Sequence, residues 1–128
     1  MIRRYVEQIL NLYNYIDGLM VTDDKGIAEY YITYRPDINK LREEDVVGKN
    51  VCETYPDLDE NTSSIMRVLK SGKPIYNEKQ YLKTFKGENI CAVNTTLPIK
   101  SGDKIIGAVD VSRYIEPDMI RKEITLSV

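Results

Sequence analysis

Residues 72–115 read GKPIYNEKQYLKTFKGENICAVNTTLPIKSGDKIIGAVDVSRYI, and this stretch is the most informative part of the chain. It contains three β-rich runs, separated by glycine turns with the sequences KGEN at 86–89 and KSGDK at 100–104. Runs of this composition between tight turns are typical of strands joined by hairpins. The last run, KIIGAVDVSRYIE, is apolar enough for a central strand, so the stretch predicts three adjacent strands.

Two shorter β-rich runs lie upstream, GLMVTDD at 18–24 and IAEYYITY at 27–34. The turn Asp24-Lys25-Gly26 separates them, and glycine there suits a tight hairpin because it adopts positive φ without strain. These two runs therefore predict a second pair of antiparallel strands.

The middle of the chain has a helical pattern. Residues 38–55 predict short helical turns, and residues 60–70 predict a longer helix with Asp59 as its N-cap and Gly72 at its C-terminal stop. The element order predicts an α+β fold, a five-stranded antiparallel sheet with helices on one face. A curled sheet beneath helices encloses a small pocket, which indicates sensing rather than catalysis.

Composition excludes several function classes. A length of 128 residues favours one domain, and a net charge of -2 with a pI near 5.2 argues against direct nucleic-acid binding. Histidine is absent, which removes the usual general base, zinc ligand and haem ligand. Cys52 and Cys91 form no metal or redox motif and predict reduced thiols. There is no signal peptide and no apolar run long enough to span a bilayer, so we expect a cytoplasmic protein without a membrane partner.

The two ends of the chain have their own patterns. Residues 1–16 predict an amphipathic helix whose apolar stripe comprises Ile2, Tyr5, Ile9, Leu12 and Ile16. This helix either packs on its own domain or forms a homodimer, and the pattern alone does not decide. Residues 17–116 are the predicted sensory domain. Residues 117–128 begin a new element, which predicts a linker to a missing downstream domain.

Three phrases carry a resemblance to a known family. They are GLMVTDDKGIAEYY at 18–31, VVGKNVCETYPDLDENTSSIMRVLKSGKPI at 46–75 and TTLPIKSGDKIIGAVDVSRYIE at 95–116. In this order they resemble the opening hairpin, helical section and closing strands of PAS domains. One departure is Ile32, which stands where many PAS domains have an Asn, so no role for such an Asn is carried over.

A narrower resemblance covers residues 15–117. The phrases TSSIMRVLKSGKPIYNEKQ, FKGENI and KIIGAVDVSRYIEP resemble the N-terminal sensory domain of arginine-utilisation regulators, which are sigma-54-dependent enhancer-binding transcriptional activators. In those regulators an AAA+ ATPase and a helix-turn-helix domain follow. The resemblance implies a signal-input role for this chain, with ATPase and DNA-binding activity belonging to the parent protein.

Neither a cofactor nor catalysis is expected. The phrase GKNVCETY faintly resembles the flavin-reactive element of light-sensing PAS domains, but Val51 separates Asn50 from Cys52 and the following motif is missing. A buried, inert Cys52 is the better interpretation. Haem-binding PAS domains use a His that this chain lacks. Acidic clusters lie in turns or at helix starts, where carboxylates cap or are solvated. We therefore expect no flavin, haem, metal or catalytic residue.

The candidate ligand-binding residues are polar and aromatic side chains of the strands. They are Tyr31, Tyr34, Tyr76, Glu78, Gln80, Asn94 and Thr96. Strand alternation puts Asn94 and Thr96 on one face, which either points inward to a polar ligand or outward to solvent. Glu78 either binds a cation with the help of tyrosine rings or is a solvated edge charge.

The sequence therefore predicts a sensory PAS domain of a transcriptional regulator that binds a small metabolite, with arginine or ornithine as candidates. Two alternatives remain open from the sequence alone. The first alternative is a PAS domain that dimerises without a ligand. The second is a PAS module of a sensor kinase.

Overall fold

The structure is a computed structural model that describes Ile2 and residues 16–116. Within these residues five strands form one sheet in the order β2-β1-β5-β4-β3, and every neighbouring pair is antiparallel. The strands are β1 Gly18–Asp23, β2 Ala28–Thr33, β3 Ile75–Lys83, β4 Asn89–Ser101 and β5 Lys104–Ile115, and the helices are α1 Glu43–Val46, α2 Val51–Thr54 and α3 Ser64–Ser71. The α+β prediction is confirmed. Apart from Ile2 and Ile16, the predicted N-terminal helix and the tail 117–128 lie outside the described residues.

Strand β5 is the centre of the sheet, as its apolar sequence predicts. It pairs with β1 on one side and β4 on the other. Its side chains alternate, so Ala108 and Asp110 are buried towards the helices while Val109 and Val111 are half-buried on the opposite face. At Gly107 the β5 backbone lies so close to the Thr22 carbonyl of β1 that a side chain would clash. Glycine at this position allows the two central strands to pair closely.

Helix α3 begins later than the sequence predicts. The structure places the N-cap at Ser63, whose hydroxyl accepts a hydrogen bond from the Met66 amide at 3.2 Å. The predicted N-cap Asp59 is wrong, because its carboxylate instead accepts from the amides of Asn61 and Thr62 in a separate turn. The predicted stop is confirmed, since Gly72 ends the helix in the left-handed region with φ of 70°.

The helices cover one face of the sheet. Helix α3 packs against β4 and β5 and buries Ile65 and Val68, while α1 packs against β2 and buries Val46. The side chains between these layers form one apolar core. The site described below lies inside this core.

Strand β3 contains a bulge that changes which side chains face the helices. Ile75 pairs with Thr96 of β4, whereas Glu78 pairs with Asn94, so the β3 side of the ladder has an extra residue between the two pairs. Asn77 has a positive φ of 51°, a conformation that Asn tolerates better than most residues. The bulge turns Tyr76 outward and leaves it 66% exposed.

Candidate functional site

A small cavity lies between the helices and the inner face of the sheet. Its volume is about 30 Å³, which accommodates about two water molecules. It is lined by Gly18, Leu19, Met20, Tyr31, Val51, Tyr55, Leu58, Ser63, Ser64, Ile65, Gln80, Leu82, Asn94, Asp110, Ser112 and Tyr114. Asp110 is the one residue in this lining with an ordinarily charged side chain at neutral pH.

Asp110 connects the sheet with helix α3. It lies opposite Thr96 in the ladder between β5 and β4, and the Thr96 hydroxyl donates a hydrogen bond of 2.7 Å to its carboxyl oxygen Oδ1. The hydroxyls of Thr96 and Ser64 are 3.1 Å apart. The single hydroxyl proton of Thr96 is donated to Asp110. Ser64 is therefore the donor in the hydrogen bond between Ser64 and Thr96. The chain of bonds thus runs from the central strand to the first residue of α3.

Burial controls the protonation of Asp110. Desolvation raises the pKa of its carboxyl from 3.8 to about 6, the nearby Glu78 charge adds to this increase, and the Thr96 hydrogen bond opposes it. A buried carboxylate is unfavourable unless donors or a cation surround it. The cavity therefore contains a group whose charge depends on what lies beside it.

Asn94 supplies a second polar group in the same cavity. Its amide nitrogen donates to Gln80 Oε1 at 2.7 Å, while its carbonyl oxygen Oδ1 is buried and has no hydrogen-bond partner among the described residues. Gln80 Nε2 lies 3.3 Å from the Thr62 carbonyl and 3.3 Å from Glu78 Oε1. Gln80 thus connects Asn94 with the segment that precedes α3.

Buried tyrosines form the other side of the cavity. Tyr31, Tyr55 and Tyr114 line it, and Tyr114 accepts a hydrogen bond of 3.1 Å from Asn39. Burial is the main cause that raises the pKa of all three hydroxyls above their ordinary range, so they stay neutral. The Tyr31 hydroxyl has no hydrogen-bond partner of normal geometry among the described residues. The cavity is therefore a mixed surface of neutral rings, hydroxyls, the two amides of Gln80 and Asn94, and one carboxyl.

Comparison with known proteins identifies the fold. No protein-family model matches the chain. Its sequence is 32% identical over 98 residues to the transcriptional activator RocR of Bacillus subtilis, a match that covers 77% of this chain and 21% of RocR. A crystal structure of a PAS domain from Colwellia psychrerythraea superposes with a TM-score of 0.63 at 16% identity and covers 87% of this chain and 97% of that domain. This chain is a PAS domain.

A second solved structure has the same fold. VqmA bound to DPO superposes with a TM-score of 0.58 at 19% identity over 86% of this chain and 57% of VqmA. VqmA of Vibrio cholerae has also been solved as a dimer. The match spans about a fifth of the length of RocR. None of the helices that the structure describes is long and apolar enough to cross a membrane.

The structure brings some of the predicted site residues of the PAS domain together. Tyr31, Gln80 and Asn94 line the cavity, and Thr96 is buried beside it. Asn94 and Thr96 point inward, which decides between the two orientations that the sequence leaves open. Glu78 is half-buried at the edge and forms an ion pair with Arg67 of α3. The role of these side chains in ligand binding stays a prediction.

Two predicted site residues lie away from the cavity. Tyr34 follows the end of β2 and is 44% exposed, and Tyr76 is displaced to the outside by the bulge in β3. Regular alternation along β3 would put Tyr76 on the face of Glu78 and Gln80, whereas Tyr34 was grouped with them for its aromatic ring alone. Neither tyrosine contributes to the cavity lining.

Sequence reasoning missed the residue in the middle of the site. Alternation along β5 puts Asp110 on the same inward face as Ala108 and Tyr114. A charged residue on the core face of a central strand is unusual, and this pattern could have identified Asp110 from the sequence. Ser64, Tyr55 and Tyr114 were missed because their positions depend on how the helices pack on the sheet. Cys52, which the sequence predicts to be buried and inert, is only half-buried and lies outside the cavity lining, and partial burial raises the pKa of its thiol.

The raised pKa of Asp110 predicts how stability depends on pH. A carboxyl that ionises at about 6 when folded and near 3.8 when unfolded stabilises the fold below pH 4, and this contribution disappears as pH rises through 6. We expect the free energy of unfolding to fall by about 2 kcal/mol from this group between pH 4 and 7.5. Urea denaturation of wild type and Asp110→Asn across this range measures the effect, and the variant should lose the dependence.

Asp103→Asn is the matched control, because Asp103 is exposed in the turn between β4 and β5. It removes the same charge and should leave the wild-type pH profile in place. A wild-type profile that does not differ from that of Asp110→Asn would contradict the burial of an ionisable Asp110.

Proposed function

We propose that this PAS domain is the sensory input of a sigma-54-dependent transcriptional activator and that it binds a small cytosolic metabolite such as arginine or ornithine. The downstream ATPase and DNA-binding domains belong to the parent protein. The similarity to RocR supports the regulator class. The VqmA structure with DPO supports ligand binding, since that protein has the same fold.

The observation that carries this proposal is the polar interior of the cavity. Purely structural cores bury few carboxyls and leave few acceptors without a donor. Here Asp110 and the carbonyl of Asn94 both lie in the space between α3 and the sheet. A ligand with hydrogen-bond donors satisfies both groups.

The cavity must enlarge before an amino acid enters, because its present volume accommodates only about two water molecules. The segment 56–62 is the part of the wall best suited to move. It is mostly exposed, it contributes Leu58 to the cavity, and the hydrogen bond from Gln80 to its Thr62 carbonyl is long, at 3.3 Å. Ligand binding selects the open arrangement of this segment, which is a shift between existing populations.

Strand β5 is suited to transmit that shift. The backbone amide of Asp17 donates to the Ser112 carbonyl at 2.8 Å, and its carboxylate accepts from the Tyr114 amide at 2.8 Å. The chain segments that enter and leave the domain therefore both attach to the strand that carries Asp110. A coupling free energy of about 1–3 kcal/mol is enough for regulation.

A panel of amino acids tests the ligand class. At a concentration 100-fold above its dissociation constant, a ligand of the native state adds about 2.7 kcal/mol of stability, which raises Tm by roughly 10 °C in a domain of this size. We expect such an increase with arginine or ornithine and none with glutamate, measured by thermal unfolding. Equal Tm values across the whole panel would contradict the proposal that the ligand is an amino acid.

The small cavity also favours a second candidate function, a PAS domain that dimerises without a ligand. The outer face of the sheet offers a surface for this, because Ile16 lies in an apolar groove there with Val93, Leu97 and Val111. Ile16 is the last residue of the apolar stripe predicted for residues 1–16. In this second candidate function, the apolar stripe of residues 1–16 and the groove on the sheet belong to one interface between two copies of the chain.

The variant Ile9→Glu tests this interface. It puts a charge in the middle of the stripe, so we expect a dimer to become a monomer in size-exclusion chromatography with light scattering. Gln8→Glu adds the same charge beside the stripe and should preserve the dimer. A dimer that survives Ile9→Glu would place the interface elsewhere.

A further inference from the structure

We propose that Asp110 and Asn94 form the part of the cavity that recognises a positively charged nitrogen of the ligand, an ammonium or guanidinium group. This inference rests on the proposed function and deepens it, because it identifies the residues that bind the cation. The similarity to RocR does not assign a role to either residue.

Asp110 is placed to accept a cation. One carboxyl oxygen accepts the Thr96 hydrogen bond, and the residues that line the cavity include no Lys or Arg. A carboxylate in such an environment gains most from a cation that also donates hydrogen bonds. Tyr31, Tyr55 and Tyr114, which line the same space, are neutral, so they do not compete as counter-ions.

Asn94 supplies the second acceptor. Its Oδ1 atom is buried without a hydrogen-bond partner among the described residues, although the side chain is held in place by Gln80. In the ladder Asn94 pairs with Ser112 and Thr96 pairs with Asp110, so Asn94 and Asp110 are diagonal neighbours on the inner face. Diagonal neighbours are about 7–8 Å apart, a span that one nitrogen with several N–H bonds, placed between the two side chains, can bridge by donating to both.

Glu78 is not suited to this role. Its carboxylate contacts the guanidinium of Arg67, which already supplies the positive charge that a ligand would bring. It also lies at the edge of the sheet, with its side chain 29% exposed. The cation site predicted from the sequence at Glu78 is therefore reassigned to Asp110.

Methylammonium is the sharpest probe, because its two heavy atoms match a space for two water molecules. We expect saturable changes in the amide NMR signals of Asn94, Thr96 and Asp110 at pH 7.5, with a dissociation constant on the order of 10 mM. Methanol, which has the same size without the charge, should produce no saturable change. Asp110→Asn should weaken methylammonium binding at least tenfold, whereas Asp103→Asn should leave it unchanged.

The outcomes separate this inference from the proposed function. Failure of methylammonium to bind wild type, or equal binding to Asp110→Asn, overturns the cation site even if the amino-acid panel raises Tm. Methylammonium binding that needs Asp110, without any Tm increase in the panel, supports the cation site and removes arginine and ornithine as ligands. Thermal unfolding of Asp110→Asn without ligand checks that the variant is folded.

Discussion

The buried carboxyl of Asp110 is the constraint on which the other features of the site depend. Alternation along the central strand forces this side chain to the core face, where a carboxylate is unfavourable without donors. The fold supplies donors through Thr96 and, one bond further, Ser64 of helix α3. The same arrangement that keeps the carboxyl in the core therefore joins the sheet to the helix that covers it.

This arrangement also fits the proposal that one site both binds the ligand and signals. Asp110 lies on the strand to which Asp17 attaches, and Ser64 lies at the start of α3, directly after the exposed segment 56–62. A cation at Asp110 changes the charge balance at the point where these elements meet. Under the proposed function, the ligand would therefore act on the strand and the helix together, with no separate relay between distant sites.

Local patterns in the sequence were sufficient for the strands, the glycine turns and the end of α3 at Gly72, because each depends on neighbouring residues. Local patterns were insufficient for the start of α3. Asp59 and Ser63 are both residue types that cap helices well, and packing selects Ser63 as the N-cap. The bulge at Asn77 follows from pairing with β4, so the outward turn of Tyr76 was not predictable from β3 alone. The inner positions of Tyr31, Gln80, Asn94 and Thr96 were predictable because each lies in a β-rich run, whereas Asp110 was overlooked in a strand that reads as apolar.

A crystal structure of the domain grown with arginine or ornithine tests the central claim most directly. The account predicts a ligand nitrogen about 3 Å from both the Asp110 carboxylate and Asn94 Oδ1, with Leu58 displaced from the cavity. A cavity still filled by Leu58 and the tyrosines at saturating ligand, or a ligand bound on the outer surface, would contradict it.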